Sequence, residues 1–377
     1  NNSNINNIKG LKKTYSINNN FFENFKINFL YFFDRFPKIF FFKRKNTSFS
    51  NNFFGLDITK NNYYKNADII HFHWINKGFI DLSLIDKIDK PIVWTLRDMW
   101  SFTGGCHYTL GCNNFIKGCS KCPQLGSNFK YDISYFLFQK KQKILRKKNI
   151  FFCTISKWLA DSAKKSAILK KEKILNMNNH VDTKNFYPLS KKVSRKKLKI
   201  NTNKKIIIYG AENIEAKYKG YDKFIDTLDH LNSKEYMILL FGKMWNFSKL
   251  REKKIEFKYL GYVSNKNKLR TIYNAGDLFA ISSLQDAFPK TFAEAMLCEV
   301  PIVSFKNTSI AKVNLHKKTG YNAKSFDPKD FAKGINYVAK KKNLGKKGRK
   351  LILQKYNPNL ISKNYINLYK KILHEKK

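Results

Sequence analysis

A chain of 377 residues exceeds what one hydrophobic core ordinarily supports, so two domains are expected. With 43% hydrophobic and 15% aromatic residues it is globular rather than disordered, and no apolar run reaches the roughly eighteen residues of a membrane-crossing helix. The net charge of +46 does not by itself imply nucleic acid. Lys, Asn, Ile, Phe and Tyr, all written with A/T-rich codons, are abundant together, whereas Arg-rich clusters with interleaved aromatics are missing. Nucleic acid is set aside as a partner; anionic lipid or a phosphorylated substrate fits the charge better.

The first 60 residues are rich in Asn, Phe and Lys and show little periodicity. Their most apolar stretch, "FLYFFDRFPKIFFFKR", is interrupted by Asp34, Arg35, Pro37 and Lys38. It suits either peripheral contact with an anionic membrane surface or core aromatics on short elements, and both readings stay open. The chain starts at Asn1 without a signal-peptide pattern, which leads us to expect a trimmed chain working in the cytoplasm, peripherally at the inner face of the membrane. A regular alternation then begins. "ADIIHFHW", "KPIVWTL" and "NIFFCTIS" are short apolar runs of the kind parallel strands buried on both faces require, and Ser156 caps the helical stretch "KWLADSAKKSAIL". A lysine-rich polar segment follows, and the alternation restarts with "KIIIYGA" and runs through "VPIVSF" to two C-terminal helices. The expectation is an α/β chain of two doubly wound, Rossmann-like domains facing a cleft. Its divisions are an N-terminal domain over 1–185, a linker over 186–203, a second domain over 204–355, and a C-terminal helix over 356–377 packing back on the first domain.

The segment "SSLQDAFPKTFAEAMLCEVPIVSF" places Asp286 in the loop after a strand and Glu294 in the first turns of the next helix. The segment Phe288, Pro289, Lys290 and Thr291 would start a helix whose free backbone N–H groups attract an anion. A carboxylate inside the helix repels phosphate but accepts hydrogen bonds from ribose hydroxyls. Together these suggest a nucleotide diphosphate with its sugar; an amphipathic helix with a surface Glu is the plain alternative.

This segment resembles the acidic E-x7-E motif of family four glycosyltransferases, retaining enzymes of the GT-B architecture, and the likeness runs on through "EAM", the cysteine and "PIVSF". The resemblance implies that Asp286 contacts the donor sugar and Glu294 the nucleotide ribose. "AKYKGYDKF" resembles the family's Lys-Gly segment, which makes Lys219 the partner of the donor diphosphate. "HFHWINKGF", "PIVWTLRDMWSFTGGCHY" and "SKWLADSA" are similar to the subgroup acting in exopolysaccharide and O-antigen assembly. The implied activity is metal-independent transfer of a hexose-type sugar from a UDP- or GDP-sugar to a saccharide or lipid-linked saccharide acceptor, with no cofactor. Arg97 and Asp98 would approach the donor from the first domain. The chain departs from the pattern in four ways. Arg97 stands where many relatives have His. Ala211 stands where an Arg is common, leaving Lys217 or Lys290 as helpers to Lys219. Asp286 replaces the first Glu, and Glu299 replaces a Gly. "NIKGLKKT" has no preceding apolar strand, so the family's opening βα unit is expected to be absent or divergent.

"GGCHYTLGCNNFIKGCSKCP" holds Cys106, Cys112, Cys119 and Cys122 in a C-x5-C-x6-C-x2-C spacing. Structural zinc, reduced packed thiols and disulfides all fit, disulfides least in a chain expected in the cytosol. Any of them makes this a loop bordering the acceptor side, with Gly104 and Gly105 in it. His73 and Trp74, at a strand end, either line the cleft or pack as core. Two rivals to the enzyme reading remain: a non-catalytic sugar-nucleotide or glycan-binding relative, and a zinc-containing nucleic-acid binder.

Overall fold

The computed structural model describes residues 21–45 and 47–375; the segment 7–14, "NIKGLKKT", lies outside the described residues. Two parallel sheets organise the chain. The first contains β1 (Ile70–Phe72), β2 (Ile92–Leu96), β3 (Ile150–Thr154) and β4 (Ile174–Asn176), hydrogen-bonded in that order. All five residues of β2 are buried, as an apolar run covered on both faces should be. The helix Lys157–Ala163 starts where the sequence marks it, with the Ser156 side chain accepting from the Leu159 N–H.

The second sheet contains β5 (Lys205–Asn213), β6 (Tyr236–Lys243), β7 (Glu256–Tyr259), β8 (Leu278–Ile281), β9 (Ile302–Phe305) and β10 (Gly320–Ala323). Its order is β7-β6-β5-β8-β9-β10, all parallel. The chain steps outward from β5 to β7, then returns to the other side of β5 for the rest. That reversal between β5 and β8 is the topological switch point, where the loops leaving two neighbouring strands diverge and open a crevice. The first sheet steps one way only, from β1 to β4. It is parallel and Rossmann-like, as expected, with no reversal among its described strands. Apolar periodicity identifies strands; it carries no information on their order.

Two further segments bear on the cleft. Residues 186–203, expected as a linker, include the helix Lys191–Lys197. Lys191 and Arg195 both pair with Asp277, at 2.6 and 2.8 Å, which fastens this helix beside β8. The C-terminal helix Pro358–His374 lies against the first sheet, where Leu368 and Ile372 pack with Val93, Cys153 and Met177. Its Tyr369 hydroxyl is 2.5 Å from His71 Nδ1, and its Tyr365 hydroxyl 2.8 Å from Thr95 Oγ1.

Leu368→Ala removes a buried side chain at this junction and should cost about 2–4 kcal/mol, read as a lower melting temperature. A pH effect accompanies it. Burial, with the nearby His73 and Arg97, holds the His71 imidazole down to about 4 from 6.5. The unfolded chain therefore binds a proton that the folded one does not between those values, so stability is lost as pH falls from 6.5 toward 4. Urea unfolding across that window should show this slope, and His71→Asn should flatten it.

Candidate active site

The two loops at the switch point are locked to each other. The segment after β5 ends in Lys217–Gly220 and the segment after β8 runs through Ser282–Pro289. Ser282 Oγ donates to the carbonyls of Lys219 and Gly220, at 3.2 and 2.8 Å, and the Leu284 N–H donates to the Tyr218 carbonyl at 2.8 Å. Gly220 has φ +67°, and a Cβ there would lie 2.1 Å from the Ser282 carbonyl oxygen. Only glycine permits both the left-handed turn and the approach.

This lock brings two predicted site residues together. Lys219 Nζ lies 2.5 Å from Asp286 Oδ2, with their side chains only 16% and 8% exposed. Burial alone would pull the Lys219 ammonium down. The adjacent Asp286 carboxylate outweighs it, so the lysine stays charged with its pKa above the ordinary value. The other Asp286 oxygen accepts from the Phe288 N–H at 3.2 Å.

The anion site at the following helix is narrower than its sequence suggests. Lys290–Leu297 begins after Pro289, which has no N–H, and the Phe288 N–H is already committed to Asp286. Lys290 and Thr291 are left to supply the outward donors, and no side chain caps them. The Phe288 ring is buried against Phe292 and Tyr356 and contributes packing. One turn further on, Glu294 Oε2 accepts from the Tyr273 hydroxyl at 2.9 Å, and burial raises its carboxyl pKa. Glu294 and Lys290 line a pocket of about 510 Å³ together with His180, Lys266 and Asn357.

From the first domain, Arg97 at the end of β2 donates to Asn179 Oδ1 at 3.1 Å. Burial lowers the pKa of His180, beside Asn179, and the charges of Lys290 and Arg97 lower it further. His73 stacks beside His71, with ring centroids 4.2 Å apart, and Trp74 is partly exposed beside His107.

Asp98 does not join this group. It is buried in the first domain, where Oδ2 lies 2.6 Å from His107 Nδ1 and Oδ1 accepts from the Trp100 N–H. His107 Nε2 is 2.9 Å from Ser50 Oγ, so both ring nitrogens are taken. Gly104 and Gly105 are likewise interior rather than cleft-lining. A Cβ would lie 2.7 Å from the Cys119 Cβ at the first and 2.5 Å from the Phe49 ring at the second. The four clustered cysteines are free thiols, so no disulfide joins them. They edge a small, mostly apolar cavity of about 20 Å³, and burial pushes the Cys106 thiol up to about 12. Among the described residues no three His, Cys, Asp or Glu side chains are placed to hold a metal. Packed thiols match this geometry, whereas the zinc alternative requires converging ligands. Below them Lys141, fully buried, donates to the carbonyls of Trp100 and Thr103 and sits 3.6 Å over the Trp100 ring.

Sequence reasoning missed the clamp between the domains. Gln285 Nε2 donates to Thr109 Oγ1, Gln285 Oε1 accepts from the Leu110 N–H, and Tyr108 stacks on Tyr218 at 4.8 Å. It also missed His180, in a lysine-rich stretch without periodicity. The only available signals were Gln285 beside Asp286 and Tyr108 after His107.

Residues 190–355 match the family described as Glycosyl transferases group 1. That match takes in the whole second sheet, β5 to β10. The chain is 25% identical over 266 residues to the Escherichia coli (strain K12) protein named for colanic acid biosynthesis glycosyl transfer, WcaC, covering 67% of this chain and 63% of that one. It is 24% identical over 213 residues to N,N'-diacetylbacillosaminyl-diphospho-undecaprenol alpha-1,3-N-acetylgalactosaminyltransferase of Campylobacter jejuni, covering 54% and 56%. It thus spans less than two thirds of the length of either relative. The crystal structure of Anabaena Alr3699/HepE in complex with UDP and glucose aligns with a TM-score of 0.57 at 14% identity, over 81% of this chain and 78% of that one. The shared architecture is GT-B, two parallel-sheet domains.

The switch-point pair makes a stability prediction. Lys219→Met strands a buried carboxylate and should destabilise by about 3–5 kcal/mol. Lys219→Met/Asp286→Asn removes both charges and should recover much of that loss in thermal melts.

Proposed function

We propose that the protein is a retaining glycosyltransferase. It moves a hexose-type sugar from a UDP- or GDP-sugar to a saccharide acceptor carried on a lipid, in cell-surface polysaccharide assembly at the inner face of the cytoplasmic membrane. The observation that carries this reading is the buried Lys219–Asp286 pair at the switch point, followed at once by a helix start without a side-chain cap and by Glu294. When donor binds, Lys219 exchanges a carboxylate oxygen for a diphosphate oxygen, freeing Asp286 to accept from the sugar hydroxyls. The N–H groups of Lys290 and Thr291, with the Lys290 ammonium, meet the charge that grows on the leaving diphosphate, so the scheme calls for no metal. Glu294 accepts from the ribose, and Arg97 faces the donor across the cleft beside His180. The departing phosphate takes the acceptor proton, which leaves no separate protein base to find. Asp98 acts as a positioning residue by holding His107 and the loop that carries Tyr108. The colanic acid and diphospho-undecaprenol relatives favour a polysaccharide product and a lipid-linked acceptor, and the UDP complex of the structural neighbour favours a nucleotide donor.

Titration with UDP- and GDP-sugars should show saturable binding of one nucleotide, weakened on the order of ten- to a hundredfold in Glu294→Ala. Undiminished binding and turnover in that variant would overturn the assignment of Glu294 and of the cleft.

A further inference from the structure

The proposed reaction uses neither the aromatic helix at the start of the described chain nor the groove beside it. The helix Phe21–Arg35 and the short turn Phe36–Phe40 have two unlike faces. One is anchored: the Asp34 carboxylate accepts from the Phe53 N–H at 2.8 Å, its carbonyl accepts from Asn51 Nδ2, and the backbone of Tyr31 packs on Gly78. The opposite face is a stripe of Phe25, Phe29, Phe32 and Phe36, spaced by four, three and four residues, and all four are exposed. Beyond it Phe40 and Phe42 stand 67% and 90% exposed, and Lys43, Arg44 and Lys45 follow directly. Lone exposed aromatics are ordinary on protein surfaces; a contiguous row of six is not.

Charge decides what covers the row. From the start of the helix, residues 21–56 contain Lys26, Arg35, Lys38, Lys43, Arg44 and Lys45 against two acids, Glu23 and Asp34, and Asp34 is buried and turned inward. A second copy would bring the same positive segment, on a chain of net charge +46, against itself. An interface of acyl chains under anionic headgroups satisfies both the phenylalanines and the lysines. Among the described residues no helix is long and apolar enough to cross a membrane, so the contact is one of lying on the surface. We infer that this face docks the protein on an anionic phospholipid bilayer, with the phenylalanines in the headgroup–acyl boundary and the basic run at the phosphates.

The placement has a consequence for the cleft. A groove of about 740 Å³ runs beside the stripe, between Phe32, Phe36 and Ile39 on one side and Gln124 on the other, and ends at Lys45 and Thr47. The same two residues begin a second pocket of about 690 Å³ that continues to Lys217, Tyr218 and Trp245 of the second domain. The docked face and the cleft between the domains are thereby continuous.

The test is co-sedimentation of the full chain with vesicles of phosphatidylcholine alone, or with roughly three parts in ten of phosphatidylglycerol. Wild type should bind the anionic vesicles at least about tenfold more strongly, and high salt should remove the difference. Phe40→Ser/Phe42→Ser should weaken binding to anionic vesicles on the order of tenfold or more, and Lys43→Glu should reduce the preference for phosphatidylglycerol severalfold. All three positions are exposed, and unchanged melting temperatures would show that the variants fold. Equal binding to both vesicle types, or binding indifferent to the phenylalanine substitutions, would overturn the inference. So would a soluble dimer that Phe40→Ser/Phe42→Ser converts to monomer while vesicles are ignored, since the face would then belong to a second copy. Because docking needs no donor, loss of vesicle binding with nucleotide-sugar binding retained would sink this inference alone. The converse result would sink the enzyme reading alone.

Discussion

A lysine and an aspartate, buried at the point where the second sheet reverses direction, are the interaction on which the cleft depends. A buried ion pair is a poor source of stability, because desolvating two charges offsets most of their attraction. It is, however, a strict geometric constraint, because either charge left alone is costly. Lys219 and Asp286 therefore tie the loop after β5 to the loop after β8, and the Ser282 and Tyr218 hydrogen bonds hold the two backbones at the spacing the pair needs. Gly220 makes that spacing reachable. The start of the helix Lys290–Leu297, and with it Glu294, is placed by the same lock.

The first domain presents its share of the cleft through a rigid interior. Asp98, His107 and Ser50 form a buried chain of hydrogen bonds, while Lys141 satisfies the carbonyls of Trp100 and Thr103 from beneath. The cysteine-rich segment packs beside this network, and burial raises the thiol pKa of Cys106, Cys119 and Cys122. Tyr108 emerges from the stiffened loop to stack on Tyr218, so the polar interior of one domain sets where the other domain's loop after β5 meets it.

Much of the second domain was legible. Its central strands are apolar runs, its helices announce themselves by period and cap, and Lys219, Asp286 and Glu294 sit in segments whose resemblance points to a nucleotide. The first domain was less so. Asp98 follows Arg97 directly, yet one turns toward Asn179 and the connecting segment while the other turns inward to His107. Adjacent residues at a strand end face opposite ways, and nothing local says which face is the cleft. Gln285 and Tyr108 escaped notice because a contact such as that of Gln285 with Thr109, 176 positions apart, leaves no periodic trace.

What the sequence determined by itself was the inventory: two α/β halves and most of the strand and helix positions. These follow from local physics, since burial on both faces, helical period and capping each act over a few residues. What only the tertiary structure decided was convergence. Strand order put the reversal between β5 and β8, the fold paired Lys219 with Asp286 across 67 residues, and long-range packing sorted Arg97 toward Asn179 and Asp98 toward His107. Partners so distant in the chain are chosen by which surfaces can be buried together, a property of the whole molecule that no local pattern encodes.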